Sequence, residues 1–296
     1  MSSHTTTVSA AAPAVDPAVD PAVASPALGR LIGVSLGPGD PGLITRAAWA
    51  QLQRRDAIWT YPTRSTKTPS YAFDIVQRAE AALPAQHQAL LFPMTHDADK
   101  LTRAWLRAAQ TVLPWLQAGQ DVLFLVEGDA STYATFGHLA RTVRALDARI
   151  DSQVIAGVNA FAAACAARNM PLSEQDDTIA IVPAAYGVSA VDRLLPDFDT
   201  LVLMKVKPLM DELIDWLERR DLLPHTQFIE RVGAPDERCV AGPDLPALRG
   251  LKVSYLSLMI VKNPHRIRGE RIKGCLKKTS LPSELATELS TEESES

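Results

Sequence analysis

Val34-Ser35-Leu36-Gly37-Pro38-Gly39-Asp40-Pro41-Gly42 follows the short apolar run that begins at Leu31. Leu31 to Leu36 reads as a buried strand, apolar with β-branched residues and a hard stop at Gly37. The loop behind it holds three glycines and two prolines, and Thr45 then opens a helical run to about Arg55. Glycines let backbone approach a ligand closely, and prolines keep the loop stiff. Strand, glycine loop and helix in that order is where open α/β sheets place their ligands.

Gly37 to Gly42 also spells G-x-G-x-x-G, the dinucleotide fingerprint. The surroundings argue against a nicotinamide site. Pro41 removes an amide near the helix start, where a pyrophosphate needs donors. The next strand, Ala57 to Tyr61, runs into Tyr61-Pro62-Thr63 and offers no acid for a ribose. A P-loop is absent too, since no Gly-Lys-Ser/Thr follows.

Working outward, the alternation continues. Helices are expected at Thr45–Arg55 (Ala48, Trp49 and Leu52 on one face), Tyr71–Ala82 and Asp99–Ala118, the last closed by Gly119. Further helices are expected from about Thr132 and over Phe161–Arg168. Strands are expected at Ala89–Phe92, Asp121–Val126 and Gln153–Ile155. The continuous apolar run Asp121–Val126 suits a sheet covered on both faces. The βαβ rhythm predicts a mostly parallel sheet. After Asp176 it loosens into strands at Thr178–Val182, Leu201–Met204, Gln227–Glu230 and Ser254–Val261, with one clear helix, Pro208–Arg219.

The expected organisation is a disordered Ala/Pro/Ser/Thr-rich leader (1–29), an N-terminal α/β domain (30–174), a smaller mixed α+β domain (175–264) with a cleft between the two, and a flexible charged tail (265–296).

Composition narrows the function classes. The chain has 296 residues, 47% hydrophobic and 22% charged, with net charge −4. That balance gives no footprint for nucleic acid. No apolar run approaches the ~18 residues of a membrane span, and the N-terminus lacks the layout of a secretory signal, so a cytoplasmic location is expected. Cys165, Cys239 and Cys275 are scattered, and no H-x-x-x-H pair occurs, so no protein-bound metal is expected.

Three loops leave the C-terminal ends of first-domain strands: Gly37–Gly42, Glu127–Asp129 and Gly157–Asn159. Each contains glycine, and together they predict one pocket at the sheet edge.

These pieces resemble a family. Gly37-Pro38-Gly39-Asp40-Pro41-Gly42-Leu43-Ile44-Thr45 looks like the first signature of the tetrapyrrole (corrin and porphyrin) methylases. Phe92-Pro93-Met94-Thr95, Glu127-Gly128-Asp129 with Tyr133-Ala134-Thr135-Phe136, and Gly157-Val158-Asn159-Ala160-Phe161 continue the match in order. Pro171-Leu172, Met204-Lys205, Glu230-Arg231-Val232-Gly233 and Tyr255-Leu256-Ser257-Leu258 extend it, so that it covers roughly Leu31 to Lys262. The chain departs from the usual pattern at Ala130 and Ala156, where the family commonly has proline, and at Asn159, where it has a small hydroxyl residue.

The resemblance implies two α/β domains, a cleft that binds S-adenosylmethionine and a tetrapyrrole, and a homodimer. The Phe-Pro-Met-Thr and Glu-Gly-Asp pieces point to the branch that methylates C20 of precorrin-2, or of its cobalt complex, to give precorrin-3A on the route to cobalamin. Cofactor contacts would then come from Pro38, Gly39, Glu127, Gly128, Asp129, Asn159, Ala160, Met204, Gly233 and Ala234. Asp40 and Tyr133 would serve the chemistry, and Asp40, Met94, Thr95 and His96 would meet the substrate. Arg64, Lys67, Arg103, Lys205 and Arg231 are available for substrate carboxylates.

Each of these residues has a plainer role open to it: an Asx turn for Asp40, helix capping for Glu127 and Asp129, a turn for Asn159, core packing for Met204 and a surface position for His96. Methylation of another ring position and a non-catalytic tetrapyrrole- or cofactor-binding module are the alternative functions.

Overall fold

The computed structural model describes residues 27–95 and 97–269. Most of the expected leader and tail, and His96, lie outside the described residues.

The first half begins with β1 (Leu31–Ser35), α1 (Arg46–Leu52), β2 (Ile58–Thr63), α2 (Tyr71–Arg78), β3 (His87–Leu91) and α3 (Ala98–Gln117). It continues with β4 (Val122–Val126), α4 (Phe136–Leu146), β5 (Ser152–Ile155) and α5 (Ala160–Ala167). Its strands form an all-parallel sheet in the order β3-β2-β4-β1-β5. The helix starts are written in the sequence. Thr45, Ser70 and Asp97 each accept a hydrogen bond from the backbone N–H three residues on, at 3.2, 3.3 and 3.0 Å, which satisfies an otherwise orphaned donor. Gly119, at φ +83°, ends α3.

Burial follows the pleat. Val122, Phe124 and Val126 pack under α3 and α4, while Leu123 and Leu125 pack with β1 under α1 and α2. This is why β4 is apolar at every position: both faces of the sheet are covered.

The second half contains β6 (Ile179–Pro183), a short α6 (Val188–Asp192), β7 (Thr200–Met204), α7 (Met210–Arg219), β8 (Thr226–Glu230), β9 (Arg238–Ala241) and β10 (Ser257–Lys262). The strands form a mixed sheet, β6-β7-β10-β8-β9, parallel only at β6–β7. Leu201, Leu203, Met259 and Val261 face the α7 side. Val202, Leu258 and Ile260 face α5, whose Phe161, Ala163, Ala164 and Cys165 pack on them. A helix that follows β5 in the chain thus covers the second sheet.

Some expectations need correction, and one strand was not expected. Trp49 is 38% exposed, outside the buried face of α1. Helix α4 starts at Phe136, because Asp129 draws residues 131 and 132 into a turn and Tyr133 adopts φ +51°, which a helix cannot accommodate. Strand β10 starts at Ser257, because the Ser254 N–H is taken by Glu230 at 2.7 Å. Strand β9, short and half-buried, went unforeseen because its Arg-Cys-Val-Ala carries no clear period.

Candidate functional site

The loops after β1, β4 and β5 leave neighbouring strands, with β1 in the middle. From β1 the chain moves to β2 on one side of the sheet, and from β4 it crosses to β5 on the other. Ligands of open α/β sheets bind at such a switch point. Gly37 and Gly128 exchange backbone hydrogen bonds of 3.1 and 2.7 Å, which fuses the first two loops.

The glycine loop is held from both sheets. The Tyr71 hydroxyl donates to the Pro38 carbonyl at 3.1 Å, and the Arg78 guanidinium donates to the Gly39 carbonyl at 2.8 Å. On its other side lies the turn after β8. A Cβ on Gly39 would stand 2.4 Å from the Val232 carbonyl oxygen and 2.9 Å from the Ala234 nitrogen. Gly233, at φ +74°, presses against the backbone of Asp40, where a Cβ would lie 2.5 Å from the Asp40 nitrogen. The fold thus brings Pro38, Gly39, Asp40, Gly233 and Ala234 together. Exposed Asp40 accepts from the Gly42 N–H at 2.8 Å and caps the 3-10 turn Pro41–Leu43.

Asp129 joins the second loop to the third. One carboxylate oxygen accepts from the Ser131 N–H at 2.8 Å and from the Ser131 hydroxyl, and the other accepts from the Gly157 N–H at 2.7 Å. Burial works against its charge, but these donors outweigh burial and hold the carboxyl below the usual aspartate range. The Ala130 N–H, absent from a proline, donates to the buried Ser35 hydroxyl at 2.9 Å, so this departure from the family pattern is satisfied locally.

Half-buried Glu127 behaves oppositely. Burial pushes its carboxyl up, opposed in part by its own backbone N–H and by the Arg64 charge. Asn159 is the N-cap of α5 and makes no side-chain bond to the helix. The first-turn N–H groups of α5, Ala160 among them, are therefore left without a side-chain cap and favour an anion. A Cβ on Gly128 would meet nothing within 4 Å, so the loop beside them faces open space.

A group of cations and aromatic rings completes the site. The Arg64 guanidinium lies 4.9 Å from the centre of the Tyr255 ring, and the Lys205 ammonium lies 5.7 Å from the Tyr133 ring and 6.0 Å from Tyr255. Arg231 lies 5.2 Å from the Tyr71 ring and pairs with Asp236 at 2.6 Å. Tyr133, Lys205 and Arg231 all adopt left-handed backbone, with φ of +51°, +58° and +55°. Glu80, Asn169, Gln175 and Asp221 share this backbone away from the site, so the conformation alone does not mark a site. The Tyr133 hydroxyl donates to the Ile181 carbonyl in β6 at 3.0 Å, linking the loop after β4 to the second sheet.

Other candidates stand elsewhere or do other work. Met204 ends β7, partly buried against the face that α5 covers. Met94 is 52% exposed, and Thr95 accepts from the Asp97 N–H at 3.1 Å. Lys67 is exposed in the 65–68 turn and Arg103 on α3. No local pattern marks Tyr71 or Arg78 as loop anchors. Tyr255 opens the Tyr-Leu-Ser-Leu motif, but nothing in that motif marks its ring as a meeting point for two cations.

Among the described residues, no group of three or more His, Cys, Asp or Glu side chains could hold a metal ion. No helix among them is long and apolar enough to cross a membrane.

Comparison with known proteins agrees with this geometry. Residues 30–244 match the family described as Tetrapyrrole (Corrin/Porphyrin) Methylases. A precorrin-2 C(20)-methyltransferase from Sinorhizobium sp is 30% identical over 214 residues, covering 69% of this chain and 84% of its own. A cobalt-precorrin-2 C(20)-methyltransferase from Salmonella typhimurium is 28% identical over 211 residues, covering 71% and 87%. In fold, the chain matches a uroporphyrin-III C-methyl transferase from Thermus thermophilus complexed with S-adenyl homocysteine, at TM-score 0.53 and 23% identity, covering 79% of this chain and 97% of that one. With its first-sheet signature loops gathered at one switch point and its sequence matched from residue 30 to residue 244, this chain belongs to the tetrapyrrole methylase family.

Proposed function

We propose that the protein transfers a methyl group from S-adenosylmethionine to C20 of precorrin-2 or its cobalt complex, forming precorrin-3A or its cobalt counterpart for cobalamin. The convergence of four backbone segments on Gly39 and Gly128, beside the uncapped start of α5, carries the reading. The names of the Sinorhizobium and Salmonella relatives support the ring position. They divide between metal-free and cobalt-loaded substrate, and cobalt would enter as part of the substrate. A homodimer in the cytoplasm completes the proposal, with domains meeting near residue 174.

The chain's own groups suit the methyl donor. First-turn amides of α5, with Asn159 and Ala160, would receive its carboxylate. Backbone at Pro38, Gly39, Gly128, Gly233 and Ala234 would approach it closely, with Met204 on the adenine side. Glu127 would face its positive charge, which favours the ionised carboxylate that burial disfavours. Asp129, with both oxygens engaged, would hold the second and third loops in register.

Bound S-adenosylmethionine supplies an activated methyl, so C20 can form the new carbon–carbon bond while the old bond's electron pair stays on sulfur and C20 gives up a proton. Residues 37–42 and 127–129 would align the partners, and alignment with water exclusion is worth up to ~7–11 kcal/mol in ideal intramolecular cases. Asp40 and Tyr133, both exposed, would serve the chemistry, Asp40 as the candidate proton acceptor.

The test mixes purified protein with S-adenosylmethionine and either precorrin-2 or cobalt-precorrin-2, without oxygen, and reads product mass. A gain of one methyl group in at least one tube is expected. Cofactor binding with no gain in either tube would favour a binding module instead.

A further inference from the structure

We infer that Tyr255 is a positioning residue that gathers Arg64 and Lys205 into a two-cation clamp for carboxylate arms of the substrate. The inference rests on the tetrapyrrole reading above and assigns part of its recognition to particular side chains.

Four cations lie on the site's tyrosine rings or hold its glycine loop, and two are already neutralised. Arg231 pairs with Asp236 at 2.6 Å, and Arg78 pairs with Asp74 at 2.9 Å while holding the Gly39 carbonyl. Arg64 and Lys205 form no ion pair among the described residues; each has a ring face instead. Arg64 directly follows β2 in the first sheet, and Lys205 directly follows β7 in the second. They meet on one ring, that of Tyr255, just ahead of β10.

Bringing two like charges to one ring costs energy, which the ring's electron-rich face only partly offsets. A bound carboxylate would relieve that cost. The acid felt by Arg64 is Glu127, which burial pushes toward its neutral form.

The scaffold holds this arrangement in place. Lys205 sits in left-handed backbone, its N–H donating to the Ser257 carbonyl at 3.0 Å. The second ring beside Lys205 belongs to Tyr133, fixed by its bond to Ile181.

Tyr255→Leu keeps apolar bulk and removes the aromatic face, whereas Tyr255→Phe keeps the face. With precorrin-2 as substrate, Tyr255→Leu is expected to raise KM about tenfold while kcat stays within about twofold, the pattern of lost uniform binding. KM for S-adenosylmethionine should not move, and Tyr255→Phe should match wild type. Adding Tyr255→Leu to Arg64→Gln/Lys205→Gln should change KM by less than about twofold more, because the effects share one clamp.

Turnover is not required for a second arm. Fluorescence titration with carboxylate-rich uroporphyrin III and the dicarboxylate mesoporphyrin IX should show that Tyr255→Leu weakens the former selectively. Equal weakening of both, no weakening, or a wild type with no preference for uroporphyrin III would overturn the clamp. If Tyr255→Leu does not fold, as judged by circular dichroism, Arg64→Gln and Lys205→Gln carry the same titration. Wild type that discriminates the two porphyrins through Tyr255, yet methylates no precorrin-2, would remove the reaction and leave the clamp.

Discussion

Gly39→Ala tests the site at its tightest point. The new methyl carbon would stand 2.4 Å from the Val232 carbonyl oxygen, 2.7 Å from the Tyr71 hydroxyl and 2.9 Å from the Ala234 nitrogen. Ordinary contact begins near 3.4 Å, so the glycine loop and the 232–234 turn must part by about 1 Å. Two of the three obstacles are backbone, and the third is the hydroxyl that holds Pro38, so none can swing aside freely. A displacement of about 1 Å in a positioned site can cost ~100-fold in rate, and overpacking adds roughly 1–3 kcal/mol of instability. The assay is kcat/KM for methyl transfer to precorrin-2, read as S-adenosylhomocysteine formed, with Tm measured in parallel. Gly250→Ala, away from the site, is the control: its methyl group meets nothing within 4 Å, although φ of +69° strains any side chain there. Its expected cost is the backbone strain of about 1–2 kcal/mol. Gly39→Ala within about threefold of wild-type kcat/KM would refute the reasoning, since two loops pushed apart could not then be the reacting framework.

Three further predictions concern the acids. Asp129→Asn puts an amide group against the donors of Ser131 and Gly157, so Tm should fall by the equivalent of roughly 1–3 kcal/mol with activity lost alongside; a stable, active variant would remove Asp129 as the link between loops. For Glu127, burial raises the folded pKa, so its protonated form contributes stability below the ordinary glutamate range that is lost as pH rises through the folded pKa. Glu127→Gln should therefore gain Tm over wild type progressively with pH, and a gap that stays flat from acid to neutral pH would contradict this. Asp199 is held to about 2 despite burial, by the Thr178 N–H and hydroxyl, Arg268 and Arg266. It should contribute on the order of 2 kcal/mol above the ordinary aspartate range and lose it as pH falls toward 2, so an acid unfolding limb unchanged in Asp199→Asn would show otherwise.

What could be read from sequence follows from the length scale of each interaction. Helix caps at Thr45, Ser70 and Asp97 act within three residues, and a strand buried on both faces announces itself by an unbroken apolar run. The apolar run and the helix start at Thr45 are among the sequence expectations; the caps Ser70 and Asp97 are not. The turn after Asp129 rests on local bonds to residues 131 and 132 and was missed all the same, whereas the reach of Asp129 across 28 residues to Gly157 has no local signature. The same holds for Tyr71, which anchors a carbonyl 33 positions earlier. Gly39 was legible as a close-approach position, but its partner, the 232–234 turn, lies in the other sheet. The two cations on Tyr255 come from positions 64 and 205, and no local pattern could join them.

Carbon NMR of the product made with S-adenosylmethionine carrying a carbon-13 methyl group shows directly where the methyl goes. One new labelled methyl signal, coupled to C20 of the ring, is expected. A labelled methyl on any other ring carbon, with C20 still bearing hydrogen, would contradict the proposed transfer to C20.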